Sequence, residues 1–161
     1  MPIMKRLKDL LDDAKISYEV YNHPLAYTAQ EIAQKQHFPG DEMAKVVMLV
    51  VDGNLVMGVV TASEKVYLPT VRKNLGAKDV HLATEDEFTS RFPGCEIGAM
   101  PPFGNLFGIR VIVDPEIAND KYIYFNAGNH VQTVRLAYKD FSALVKPQIS
   151  VLAESPRRRA A

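Results

Sequence analysis

Leu7, Leu10, Leu11 and Ala14 recur at helical spacing, with Lys5, Arg6, Lys8, Asp12 and Asp13 left for solvent, so the chain is expected to open with an amphipathic helix. Thr28-Ala29-Gln30-Glu31 has capping-box form and predicts a short helix through about Gln36. Thr84-Glu85-Asp86-Glu87 repeats the device before Phe88. Pro39-Gly40 and Pro93-Gly94 mark the exits. After Lys45 the pattern changes to a nearly unbroken apolar run, residues 46–51, which meets Asp52-Gly53 and resumes over residues 55–60. This predicts a hairpin of largely buried strands at the centre of a sheet. Residues 69–75 read as a short helix closed by Gly76, and Val80-His81-Leu82 as a strand. Further strands are expected over residues 108–113, 122–125 and 131–136, before a helix over residues 140–145.

Helices scattered among five or six strands, several joined by short turns, predict a mixed α+β fold with a curled mixed β-sheet around one core and helices outside. Regular strand-helix alternation is missing, which excludes a doubly wound sheet. A chain of 161 residues, 47% hydrophobic, suits a single domain, expected over residues 1–152 with a basic tail over residues 153–161. Lys plus Arg balance Asp plus Glu at 19 each, so no global basic field marks the chain as a nucleic-acid binder, and any RNA contact must be local. Arg157-Arg158-Arg159 is either a solvated tail or a tether for RNA phosphates. No helix-turn-helix basic face is visible, so DNA is not an expected partner. No apolar run reaches membrane-spanning length, the first residues lack a signal-peptide core, and the single cysteine, Cys95, fits a reducing compartment. A cytoplasmic location without a membrane partner is therefore expected.

The sequence contains no G-x-G-x-x-G, P-loop, H-E-x-x-H or G-x-S-x-G, and the four histidines are dispersed, so neither a cofactor nor a metal is expected. Candidate chemistry lies in three segments. Residues 98–108, G-A-M-P-P-F-G-N-L-F-G, combine three glycines with Pro101 and Pro102 and predict a stiff loop. It is either a structural turn or a loop whose N–H groups, those of Phe103, Gly104 and Asn105 foremost, face a ligand oxygen. Lys45, at the mouth of an apolar strand, either snorkels to solvent or meets an anion. Gly128, Asn129 and His130 share one strand-to-strand loop, where His130 either contacts a ligand or hydrogen-bonds the loop.

In order along the chain, A-K-V-V-M-L-V-V, L-P-T-V-R-K-N-L-G-A, G-C-E-I-G-A-M-P-P-F-G and F-N-A-G-N-H-V-Q-T-V-R-L resemble the YbaK/EbsC-like aminoacyl-tRNA deacylase superfamily. That superfamily is related to the editing domain of bacterial prolyl-tRNA synthetases. The resemblance runs from about His23 to Val145, and the G-x-x-x-P frame from Gly98 to Pro102 is its most specific part. It implies a freestanding deacylase that hydrolyses the ester of a tRNA mischarged with a small amino acid. The acceptor end would be the partner, and association with a synthetase is left open. By the same resemblance Lys45 positions the terminal adenosine, its phosphate or the ester. The loop from Gly98 to Gly104 presents backbone groups to the carbonyl and a water, and His130 shapes the amino-acid pocket; selection by pocket size and polarity makes Met100, Phe103 and Val46, with His130, the candidate walls. Val46 departs from the polar residue that several members carry after the lysine. A non-catalytic RNA- or ligand-binding module on the same fold is the alternative.

Overall fold

The computed structural model describes residues 4–22 and 43–154. The helix expected over residues 28–36, its Pro39-Gly40 exit and the arginine tail lie outside those residues. The opening helix α1 is Lys5–Asp13, with Leu7 and Leu11 fully buried. It leads to a short strand, β1 (Tyr18–Asn22). The hairpin is β2 (Ala44–Val51) and β3 (Asn54–Thr61), paired antiparallel from Ala44↔Thr61 to Val51↔Asn54. Asp52 and Gly53 turn it with φ of 47° and 84°, the two left-handed positions of a type I′ turn. A two-residue strand β4 (Lys65–Val66) precedes helix α2 (Leu68–Leu75), which Gly76 closes in the left-handed conformation. Strand β5 (Val80–Leu82) is followed by helix α3 (Glu85–Phe88), with both hydrogen bonds of the Thr84/Glu87 capping box formed. Strand β6 (Arg110–Val113), helix α4 (Pro115–Ala118), strands β7 (Tyr122–Asn126) and β8 (Gln132–Ala137), helix α5 (Tyr138–Val145) and the two-residue strands β9 (Gln148–Ile149) and β10 (Ala153–Glu154) complete the described chain.

These strands form a mixed five-stranded sheet, β5-β2-β3-β6-β9, an antiparallel three-stranded sheet, β1-β8-β7, and the small pair β10-β4. The mixed α+β class holds, but the expected single curled sheet is divided, its two larger parts meeting at a parallel bridge between Met43 and Tyr124. Side-chain alternation sends Ala44 and Met48 of β2 and Met57 and Val59 of β3 into the main core. There they face Ile123, Phe125, Val134 and Leu136 of the three-stranded sheet. The opposite face of the hairpin, with Leu49, Val51, Val56 and Val60, packs on Val71 of α2 and on Leu152.

Fully buried Asp114 closes that second layer. Its carboxylate caps α4 through the Glu116 N–H at 3.0 Å and accepts from the N–H groups of Leu152 at 2.9 Å and Ala153 at 3.2 Å. Because Ala153 and Glu154 then pair with Val66 and Lys65, strand pairing runs two residues past the expected boundary at residue 152.

Candidate active site

The loop that carries the most specific motif divides into an exposed turn and a buried limb. Ala99 N–H donates to Glu96 O at 3.1 Å, and Gly98, third of these four residues, has φ of 84°, the signature of a type II turn that only glycine enters without strain. Two further bonds join this turn to the β7–β8 connection: Glu96 N–H donates to Gly128 O at 2.8 Å, and Gly128 N–H to Ala99 O at 2.9 Å. Gly128 itself has φ of 96°, and a Cβ there would lie 3.0 Å from Met4 Cβ, so this residue too must be glycine. Asn129 holds the connection from within, its Oδ1 accepting from Val131 N–H and its amide donating to Gln132 Oε1, both at 2.9 Å.

His130 lies beneath the turn, only 4% exposed. Its Nε2 is 2.8 Å from Ile97 O, and its Cε1 would be 3.6 Å from a Cβ placed on Gly98. The Glu96 carboxylate is 3.8 Å from the same Nε2. Of the two roles open to His130, the structure displays the loop-binding one.

Met100, Pro101, Pro102, Phe103 and Gly104 are all buried. Phe103 is a core residue with no exposed surface, its ring 5.4 Å from Phe125 and 5.3 Å from Phe141. A Cβ on Gly104 would stand 2.6 Å from Val111 Cγ2 and closer still to Ile109 O, so close packing against β6 accounts for this glycine. Phe103, expected as a pocket wall, and Gly104, expected to present its backbone to a ligand oxygen, both sit buried. Met100 keeps a border on a small cleft with Phe88, Phe92, Cys95 and Ile97, beside the exposed turn.

Lys45 and Val46 diverge by strand alternation. Val46, opposite Val59, lies on the main-core side, whereas Lys45, opposite Val60, lies on the other face. The Met43–Tyr124 bridge runs the start of β2 alongside the end of β7, which places Lys45 and Val46 at the level of Asn126 and Ala127. The exposed turn and the β7–β8 connection therefore touch directly, while Lys45 joins them only through its strand. Burial pushes the Lys45 ammonium below its ordinary pKa, with neighbouring Lys65 acting the same way and Glu64 opposing. Cys95 is a poor nucleophile: burial pushes its thiol up to about 11 against the pull of the Arg6 charge. Among the described residues no group of three or more His, Cys, Asp or Glu is placed to hold a metal ion.

Sequence reasoning did not single out Glu96, Ile97 or Lys65. Ile97 acts through its carbonyl, which has no side-chain signature, whereas the charge of Glu96 two residues before Gly98 was a usable signal.

A fold of this class, with a glycine turn and a histidine loop joined at the end of the antiparallel sheet, has known counterparts. The sequence model of the aminoacyl-tRNA editing domain matches residues 23–144, and the chain belongs to that family. It is 25% identical over 142 residues to the prolyl-tRNA editing protein ProX of Acetoanaerobium sticklandii, a match covering 84% of this chain and 86% of that protein. It is 24% identical over 151 residues to the multifunctional Ser/Thr-tRNA deacylase ProXp-y of Escherichia coli K12, covering 90% and 89%. The crystal structure of a candidate trans-editing enzyme for prolyl-tRNA synthetase shares the fold, with a TM-score of 0.81 at 21% identity over 96% of this chain and 99% of that one.

Proposed function

We propose that this protein is a freestanding aminoacyl-tRNA deacylase that hydrolyses the ester of tRNA carrying a small amino acid. The observation that carries the reading, within the family, is the Glu96–Ala99 turn, exposed from Glu96 to Gly98, bonded to the β7–β8 connection and built around a glycine at φ 84°. Water adds to the ester carbonyl, and the Gly98 N–H donates to the carbonyl oxygen, stabilising the negative charge that develops there. The C–O bond to the ribose then breaks, one proton of the water passes to the ribose oxygen, and free amino acid and tRNA leave. The neighbouring ribose hydroxyl positions the water, so no protein nucleophile is required. Lys45 contributes placement through its charge on a terminal phosphate. Val46 and the cleft bordered by Met100, Phe92 and Ile97 restrict the side chain by size, and one methylene there is worth ~1–3 kcal/mol.

The relatives' names support the tRNA substrate: one is a prolyl-tRNA editing protein and the other a Ser/Thr-tRNA deacylase. With net charge zero the protein has no surplus charge with which to grip a whole tRNA, and hand-off from a synthetase would supply what the acceptor end alone does not. Deacylation of tRNAs charged with alanine, serine and threonine, with Lys45→Ala in parallel, tests the reading. Hydrolysis of at least one substrate, lowered tenfold or more by the substitution, is expected. Acceptor-end binding without hydrolysis of any substrate would replace the deacylase by a binding module.

A further inference from the structure

The Ile97 carbonyl accepts from the His130 ring at 2.8 Å, Gly98 is exposed, and no peptide bond among the described residues is cis. In a trans peptide the C=O and N–H vectors point in opposite directions. A ring that holds the Ile97 oxygen inward therefore points the Gly98 N–H outward, to the surface where an ester carbonyl can approach. Among the described residues that N–H makes no backbone hydrogen bond, in contrast to the Ala99, Glu96 and Gly128 N–H groups around it.

We infer that His130 is a positioning residue, which works by fixing the Ile97–Gly98 peptide so that the Gly98 N–H faces the reacting carbonyl. The inference rests on the deacylase reading above and adds to it a residue that acts through the backbone instead of touching the substrate. The need for such a device follows from turn chemistry. Types I and II differ by rotation of the central peptide through about half a turn, and the wrong type would bury the N–H and expose the oxygen. An exposed carbonyl oxygen would repel the charge that the N–H is there to receive. Donation from Nε2 penalises that flip, and the ring, 4% exposed, has packing on all sides to hold it in place. The bond also fixes the protonation pattern that matters: Nε2 carries hydrogen in the neutral tautomer that donates and equally in the cation. Protonation of the ring leaves the positioning bond intact, whereas it would abolish a general base.

Single-turnover deacylation separates the roles, using whichever of alanyl-, seryl- or threonyl-tRNA the wild type hydrolyses fastest, with His130→Ala and His130→Gln. The glutamine keeps an N–H donor in place of that of the ring but offers no imidazole base. Alanine is expected to lower kcat about 10²-fold with KM changed less than about threefold, the size of a misplaced reacting group. Glutamine is expected to restore at least a tenth of the wild-type rate, with a pH profile of the same shape as the wild type. A wild-type inflection in the imidazole range that glutamine removes, with glutamine as slow as alanine, would make His130 a base and overturn the inference. A rise in KM with altered amino-acid preference would make it a pocket wall and overturn it equally. Should His130→Ala fail to fold, the glutamine variant alone decides between these outcomes. Absence of wild-type turnover on all three substrates sinks the deacylase reading itself, whereas turnover unchanged by either substitution sinks only the role of His130.

Discussion

The two glycines at the ends of the motif, Gly98 and Gly104, should respond to the same substitution in opposite ways. At Gly104 an added methyl collides with Ile109 O and with Val111 Cγ2 at 2.6 Å, inside a buried segment whose neighbours are backbone and a β-branched side chain. Such overpacking costs about 2–3 kcal/mol, which for a domain of this size lowers Tm by ~4–12 °C. Below that transition Gly104→Ala should retain its single-turnover rate within about threefold, because the clash is relieved in the core and not at the turn. At Gly98 the methyl meets only His130 Cε1 at 3.6 Å, an ordinary contact, so the cost is the positive φ, about 1–2 kcal/mol. The turn can avoid that cost by adopting type I, which flips the Ile97–Gly98 peptide and turns the N–H away from the substrate. Gly98→Ala should therefore lose about 10²–10³ in rate, the usual effect of removing one oxyanion donor, while its Tm falls by only a few degrees. Differential scanning calorimetry and rapid-quench deacylation on the same preparations measure both quantities. A thermostable Gly104→Ala with a large loss of rate, or a fully active Gly98→Ala, would refute the division between packing and chemistry.

Other consequences are equally direct. Replacing Lys65 with methionine removes a charge that lowers the Lys45 pKa; if activity needs the Lys45 cation, rate falls as pH rises through that pKa. The alkaline limb of the rate profile, corrected for spontaneous ester hydrolysis, should then move to higher pH in the variant, and an unmoved limb would count against a charged Lys45. Asp114→Ala strands two buried N–H donors and uncaps α4, at a cost of roughly 3 kcal/mol, and should lower the urea midpoint without changing KM. Cys95, with its thiol pushed to about 11, should alkylate slowly at pH 7.5, and Cys95→Ser should deacylate at the wild-type rate.

Much of the scaffold was legible because the residues that set it act locally. The apolar stripe of α1, the Asp52-Gly53 turn, the Thr84 capping box and Gly76 after α2 each specify their element with side chains or dihedrals readable in a window of a few residues. The strands that went unread are β1, in which no residue is buried, and β4, β9 and β10, of two residues each; all are defined by pairing with distant partners, which leaves no periodicity to detect. The motif loop was found as a unit but not as two halves. Gly98 and Gly104 are the same letter, and only the tertiary structure shows that one is required by φ and the other by the approach of β6. His130 stood out by type, yet its bond to a main-chain oxygen 33 residues earlier in the chain depends on a turn geometry that no side-chain pattern encodes.

The carboxylate of Asp114 has a consequence for the order in which the protein is made. It fastens Leu152 and Ala153 to the end of β6, so the layer formed by Val60, Val71 and Ile112 receives its last wall from residues that leave the ribosome after every other member of that layer. Until then the hairpin displays an uncovered apolar face to whatever surrounds the nascent chain, a window in which chaperone capture or aggregation competes with folding.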